Sequence, residues 1–411
     1  MQISPLAPSS PADLIAVPGV RIATGHSGIK YKNRDDLMLM SFDHPVAVAA
    51  VMTRSRTASA PVDWCREIIQ QGGMATAILC NAGNANAFTG AAGRGAARRC
   101  AEAVATAMGT QPEMIMLAST GVIGEVLPDD MITPHIAPMV TAASADADKW
   151  HDAADAIRTT DTFAKAISRK TNIGDANITI TGIAKGSGMI APDMATMLGF
   201  IATDANLPPA VLQDILNSIN EESFNAITVD GDTSTSDTVI LAATGAADHH
   251  PISSAQDESL SGFIGALREV MRALAILIVR DGEGASKLIT IHVHGAENDD
   301  AARRIGFAIG NSPLVKTAIA GEDANWGRIV MAVGKSGEMV DRDQLDISIG
   351  GIQITSNGMC RADYDETDVT AHMKNDSIDI SVNINIGSGK ATIWTCDFTQ
   401  QYIIINADYR S

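Results

Sequence analysis

The sequence predicts an α+β fold: a layered sandwich of stacked β-sheets covered by helices. Short runs that alternate apolar and polar residues recur along the chain and crowd towards its C-terminal end. Helical-period stretches sit between them, without the regular strand–helix–strand order of a parallel sheet. The chain has 411 residues and 45% apolar content, enough for a large core in one or two domains.

Taken in chain order, residues 1–17 are rich in Pro, Ser and Ala and predict a loosely held, extended arm. TAILC (76–80) reads as a strand, and RGAARRCAEAVATAMG (94–109) places Ala and apolar residues at helical spacing. The apolar run MIML (114–117) leads into a Ser-Thr-Gly turn. NITITGIA (177–184) and TVILAAT (238–244) read as strands, with a helix at 207–224 between them whose first turn carries prolines. Residues 261–279 are apolar enough for a buried helix. LITIHVHGA (288–296), LDISIGGIQI (345–354), IDISVNINIG (378–387), ATIWTCDFT (391–399) and YIIIN (402–406) complete the strand set.

The formal net charge of −18 disfavours nucleic acid and anionic membranes as partners, because both present phosphate. The five cysteines include no CxxC pair and read as idle thiols of a reducing compartment. The N-terminal stretch lacks the basic and apolar regions of a secretory signal, and the apolar run 273–279 lies between Arg272 and Arg280. These features predict a cytoplasmic protein.

One segment carries chemistry. In AKGSGMIAPDMATMLGFIATDA (184–205) the glycines let the backbone bend and approach other groups, and Ala195 leaves its carbonyl unshielded. The hydroxyl of Thr196 beside that carbonyl can attack it in an N-to-O acyl shift. Hydrolysis of the ester then frees Thr196 as a new N-terminus. An internal threonine has no base of its own, whereas a terminal one carries an α-amine with a pKa of about 7.7–8.0. That amine accepts the proton of its own hydroxyl and makes Thr196 a nucleophile. The expected products are residues 1–195 and 196–411, intertwined in one catalytic unit. A nucleophile of this kind needs donors for an oxyanion. In LASTGVIGEVLP (117–128), the Thr120 hydroxyl and the Gly121 N–H are the best candidates.

The segment 185–205 resembles the autoprocessing signature of the ornithine acetyltransferase (glutamate N-acetyltransferase) family of arginine biosynthesis. ILCNAGNANAFTG, STGVIGE, TTDTF, VDGDTSTSDT, RDGEGASKLI, SPLVKTAIAGEDANWGRI and INADYRS resemble the same family in the same order, from about residue 18 to the end. The resemblance implies an N-terminal-nucleophile-like, autoprocessed enzyme cut between Ala195 and Thr196. It implies Thr196 as nucleophile, Thr120 and Gly121 as oxyanion hole, and Thr162, Lys185, Thr196, Glu283, Asn406 and Ser411 as substrate contacts. Lys185 suits a substrate carboxylate and Glu283 the ammonium of ornithine. The implied reaction moves acetyl from N-acetylornithine to glutamate through an acetyl-threonine, with no metal and no cofactor. Acetyl-CoA stays open as a second acetyl donor, and an α2β2 assembly is implied. Asp193, Ser55 and Ala324 stand where the family often has Asn, Asn and Pro.

Two other readings remain beside this one. The first is a related amidase or aminopeptidase that passes the acyl group to water from the same threonine. The second takes Asp230 and Asp232 of VDGDTS as the aspartyl pair of a Mg²⁺-dependent phosphatase. Against the second stands a plain Asp/Ser/Thr turn that satisfies its own backbone. The paired His292 and His294 of one strand face lack a third ligand nearby in sequence, so no metal is expected there.

Overall fold

The computed structural model describes residues 2–191 and 197–407. Two compact units emerge. The larger runs over Ser9–Asn225 and Asp232–Ile278, and the smaller gathers Ala226–Gly231 and the chain from Val279 onward, together with the residues before Ser9. The α+β class is borne out: each unit has its own sheet with helices packed on it.

In the larger unit the strands are β1 (Val20–Gly25), β2 (Leu37–Met52), β3 (Met74–Asn84), β4 (Ile115–Val122), β5 (Lys165–Ile173), β6 (Ala176–Lys185), β7 (Leu198–Thr203) and β8 (Thr238–Ala243). They form one mixed sheet in the order β4-β3-β2-β8-β7-β6-β5, with β1 also paired to β2. The helices are α1 (Ala60–Gln70), α2 (Gly90–Met108), α3 (Asp129–Ala142), α4 (Lys149–Ala156), α5 (Pro209–Glu221) and α6 (Ser261–Arg280). Alternation along β4 sends Met116 and Ala118 to one core, with Trp150 of α4, and Ile115 and Leu117 to another, with Val104 of α2. Trp64 of α1 donates to the Ile115 carbonyl at 2.8 Å. Gln213 of α5 pairs with both backbone groups of Ala50 at 3.0 Å, and Val270 and Leu274 of α6 lie against Gly182 of β6.

In the smaller unit β9 (Leu288–Ala296), β10 (Asp346–Ile349), β11 (Ile352–Gln353), β14 (Ser377–Asn383) and β15 (Gly389–Cys396) form a sheet ordered β11-β10-β14-β9-β15, while β12 (Thr355–Ser356) and β13 (Met359–Cys360) make a ribbon. The helices are α7 (Asp299–Gly310), α8 (Pro313–Ala320), α9 (Trp326–Gly334), α10 (Glu366–Met373) and α11 (Gln400–Ala407). Asn298 caps α7 by accepting the Ala301 N–H, and Asp299 and Asp300 favour its first turn. Ile289, Ile291 and Val293 of β9 point into a core shared with Ile305 and Ile309 of α7.

Three sequence expectations change. YIIIN is not a strand: it lies in α11, whose entry is turned by Thr399 accepting the Gln401 and Tyr402 N–H groups. Asn406 then bonds back to the Tyr402 carbonyl at 3.0 Å, and no β-ladder partner is present for the run among the described residues. The arm is not loose over 9–17. Leu14 and Val17 are buried, and Ile15 bonds both Ser168 Oγ at 2.9 Å and Thr181 Oγ1 at 2.7 Å. The strand at TAILC extends to Met74–Asn84, because its neighbours β2 and β4 both pair with it. Among the described residues, no helix is long and apolar enough to cross a membrane.

Candidate active site

β3 and β4 run parallel, and their ends bring Gly83 opposite Gly121. Gly121 has φ +135°, and a Cβ there would stand 2.2 Å from the Gly83 carbonyl carbon and 2.5 Å from the Asn84 nitrogen. Backbone passes so close that no other residue fits. The turn beyond is held by asparagines. Ser119 Oγ donates to Asn81 Oδ1 at 2.6 Å, Asn81 Nδ2 donates to the Asn84 carbonyl at 2.9 Å, and Asn84 Nδ2 donates to the Glu125 carbonyl at 3.1 Å. The asparagine-rich stretch after TAILC is therefore the frame of the Thr120–Gly121 turn.

Thr120 is buried, and its Oγ1 receives the Lys185 ammonium at 3.3 Å. Lys185 ends β6 and is itself buried. Beside it lies a second buried lysine, Lys165, in an ion pair with Asp161 at 2.7 Å. Asp161 also accepts the Gly186 N–H at 2.6 Å. Burial pushes the Asp161 carboxyl up, but Lys165 and Lys185 outweigh it and hold the group well below the usual carboxylate range. Thr160 Oγ1 and Ser187 Oγ meet at 2.7 Å, so the segment carrying Thr162 runs alongside 185–187.

β6 and β7 are antiparallel, with Lys185 opposite Leu198. The chain that leaves after Lys185 thus returns beside it. Ala195 and Thr196 lie outside the described residues. Met197, the next residue, is fixed at both backbone groups: its N–H reaches Asp237 Oδ1 at 2.9 Å, and its carbonyl accepts the Thr238 N–H at 3.1 Å. Asp237 is wholly buried. Burial pushes its carboxyl well above the ordinary range, against the Met197 N–H and the Lys185 charge. Sequence reading passed over Asp161 and Asp237.

The smaller unit holds Glu283 and Asn406. Asn406 Nδ2 donates to Glu283 Oε2 at 2.7 Å, and Glu283 is largely buried. Gly284 has φ +74°, and a Cβ there would come within 2.7 Å of the Tyr402 nitrogen. Helix α11 is therefore seated directly on the turn that presents Glu283, and Thr399 Oγ1 donates to the Gly284 carbonyl at 2.7 Å. Ser411 lies outside the described residues. Asp230, one of the phosphatase candidates, receives the Tyr402 hydroxyl at 3.3 Å. Within the turn that follows it, Ser236 N–H bonds Ser234 Oγ at 3.1 Å, and Thr238 Oγ1 donates to the Ser236 carbonyl at 3.0 Å. The structure thus brings Thr120, Gly121 and Lys185 together in one unit and Glu283 and Asn406 together in the other.

The ArgJ family model matches residues 21–411. The chain is 53% identical over 412 residues to the arginine biosynthesis bifunctional protein ArgJ of Agrobacterium fabrum, covering 100% of this chain and 99% of that protein. It is 54% identical, with the same coverage, to the protein of the same name from Rhizobium meliloti. Among solved structures it is similar to the ornithine acetyltransferase of Mycobacterium tuberculosis crystallised with ornithine, at 32% identity and a TM-score of 0.38, covering 43% of this chain and 93% of that one.

Proposed function

The chain belongs to the ArgJ family of arginine biosynthesis and is an ornithine acetyltransferase and glutamate N-acetyltransferase, and we propose that it works through Thr196 after scission of the Ala195–Thr196 bond. The freed α-amine takes the Thr196 hydroxyl proton, and Oγ attacks the acetyl carbonyl of N-acetylornithine. The Thr120 hydroxyl and the Gly121 N–H receive the oxyanion. The C–N bond breaks, and ornithine leaves with the proton. The amine of glutamate then attacks the acetyl-threonine ester by the same steps in reverse, and N-acetylglutamate departs. No step calls on a metal or cofactor, and acetyl-CoA can load the same threonine as a thioester donor.

The contact between Lys185 Nζ and Thr120 Oγ1 carries this reading. An ammonium that donates to a hydroxyl oxygen leaves that hydroxyl's own proton pointing elsewhere and makes it a stronger donor. Substrate contacts are assigned to Thr162, Lys185, Thr196, Glu283, Asn406 and Ser411. Glu283, held by the Asn406 amide, supplies a carboxylate for the ornithine ammonium. An α2β2 assembly in the cytoplasm completes the proposal.

The sheet accounts for how the cut protein stays whole. β6 belongs to the fragment 1–195, and β7 and β8 belong to 196–411. β7 pairs with β6 on one side and β8 on the other, and β8 pairs with β2 of the first fragment. Leu198, Phe200 and Ile201 of β7 are fully buried, and burying each side chain of this kind stabilises the fold by about 1.5–3 kcal/mol. Intact mass measurement of the purified protein should show fragments 1–195 and 196–411, inseparable without denaturant. Thr196→Ala should give one uncut chain and abolish transfer of acetyl to glutamate. An active protein that runs as one unbroken chain would sink the proposal, and release of free acetate in place of N-acetylglutamate would mark a hydrolase.

A further inference from the structure

Among the described residues of the larger unit, Asp237 Oδ2 is a buried carboxyl oxygen with no hydrogen-bond partner. Its companion Oδ1 accepts the Met197 N–H at 2.9 Å. That N–H belongs to the peptide bond joining Thr196 to Met197, so the carboxyl grips the bond that follows the nucleophile. The backbone fixes its place. Thr53 N–H donates to the Asp237 carbonyl at 3.0 Å, and Thr238 N–H donates to the Met197 carbonyl at 3.1 Å. Thr53 Oγ1 donates to the Ser234 carbonyl at 2.7 Å. A buried oxygen left in this state is costly, and such a cost calls for an explanation at the position where it is kept.

The charge around the group has one source close by. Lys185 on β6 acts on Asp237, and the Asp161–Lys165 ion pair lies next to Lys185. Burial outweighs the Lys185 charge and favours the protonated form of Asp237, and with Oδ1 accepting an N–H the proton of that form sits on Oδ2.

We propose that Asp237 is the proton relay for scission of the Ala195–Thr196 bond, with Oδ2 as the exchanging atom. The proposal rests on the reading of Thr196 as the attacking group. Thr196 Oγ bonds to the Ala195 carbonyl carbon, and the C–N bond to the Thr196 nitrogen breaks. That nitrogen leaves as a primary amine by taking the Oδ2 proton. The proton displaced from the Thr196 hydroxyl restores the acid. Water then hydrolyses the ester, giving the Ala195 carboxylate and the Thr196 hydroxyl, with Asp237 unchanged.

The test is scission of the full-length chain made by cell-free translation and followed by intact mass. Asp237→Asn keeps an oxygen for the Met197 N–H and keeps the side-chain volume, but has no acid proton to pass. It should fold with a native circular dichroism spectrum and cut at least about 100-fold more slowly, the scale of a general acid. In the wild type the scission rate should fall as pH rises through the titration of Asp237, and the slow residual scission of Asp237→Asn should lack that dependence. A folded Asp237→Asn that cuts at the wild-type rate overturns the assignment. If the variant does not fold, the wild-type profile decides alone, and a rate flat with pH also overturns it. Thr196→Ala separates the two levels: if it is still cut at the same bond, the Thr196 reading fails, whereas an uncut Thr196→Ala beside a normally cut Asp237→Asn sinks the Asp237 assignment only.

Discussion

The turn that carries Asp161 and the entry to β8 that carries Asp237 each bury a carboxyl within the field of the same Lys185. Their environments push them in opposite directions. Asp161 has a lysine of its own at 2.7 Å and the Gly186 N–H at 2.6 Å on Oδ1, and the Thr159 N–H at 3.0 Å on Oδ2. Asp237 has one backbone N–H on Oδ1 and, among the described residues, no hydrogen-bond partner on Oδ2. The desolvation cost is common to both, so the difference is made first by the second cation, Lys165, and then by the extra backbone donor. A contact ion pair favours the ionised form of Asp161; without one, burial favours the protonated form of Asp237. Two carboxyls in one site with separated protonation states is the arrangement expected where one group organises charge and the other moves a proton.

The comparison breaks hardest at Asp161. Replacing it with Ala leaves Lys165 buried beside a lost partner, and breaking a buried pair in this way costs about 3–5 kcal/mol. Urea unfolding of Asp161→Ala at pH 7 should show that loss as a lower midpoint. Lys165→Met combined with Asp161→Ala should recover much of it, because the stranded charge is gone. Equal stability of Asp161→Ala and wild type would mean that the pair is not what holds this turn. The pH dependence follows in sign. Asp161 is depressed below its ordinary value of 3.8, so its contribution is present above that pH and is lost as pH falls through the folded-state value. Asp161→Asn should flatten this acid limb of the stability curve.

The elements that sequence alone revealed and the ones it hid differ for the same kind of reason. β6, β8 and β9 were legible because β-branched residues recur in short runs with turns on both sides. β2 was not. Its Pro45 falls where the register to β3 shifts between Ser41 and Val46, and a proline inside a run argues against a strand unless a bulge is known to receive it. YIIIN has strand composition, and its helical state comes from Thr399 and from the seat on the Glu283 turn, more than a hundred residues away in sequence. In the candidate site, Thr120 and Gly121 are singled out by a local Ser-Thr-Gly motif, and Lys185 by the resemblance of the stretch that carries it. Asp237 is not: its partner Met197 is 40 residues upstream, reached only through the parallel pairing of β7 with β8. The Asp230–Asp232 segment, for which a plain Asp/Ser/Thr turn is the preferred reading over a phosphatase motif, has Asp230 bonded by the Tyr402 hydroxyl.

Lys185 is where the comparison sharpens, because it acts on both carboxyls and on Thr120. Lys185→Met removes a charged donor from the Thr120 hydroxyl. Hydrogen bonds to charged groups contribute about 1.5–3 kcal/mol, so kcat/KM for acetyl transfer should fall about 10- to 100-fold in protein whose scission is confirmed by mass. The stability curve should move as well. Without the Lys185 charge both carboxyls titrate higher, so the acid limb set by Asp161 should shift to higher pH. A variant with unchanged kcat/KM would remove Lys185 from both the Thr120 contact and the substrate.

The prediction at Asp237 is the most discriminating, because it is read from a sign. Asp237 has a folded-state pKa above its unfolded value of 3.8. Between the two values the unfolded chain has lost this proton and the folded one has kept it, so the folded state binds more protons and stability falls as pH rises. That slope is opposite in sign to the one Asp161 gives below pH 3.8. Asp237→Asn removes the ionisation and keeps the oxygen that serves Met197. The variant should therefore be as stable as wild type near pH 4 and more stable at pH 7, measured by urea unfolding at each pH with the cleavage state of the two proteins matched by using the Thr196→Ala background. A protein that gains stability and loses self-scission through one atom pair is what a functional site retained at a cost predicts. If Asp237→Asn instead lost stability evenly at both pH values, the group would be an ordinary ionised hydrogen-bond acceptor, and the contrast with Asp161 would disappear.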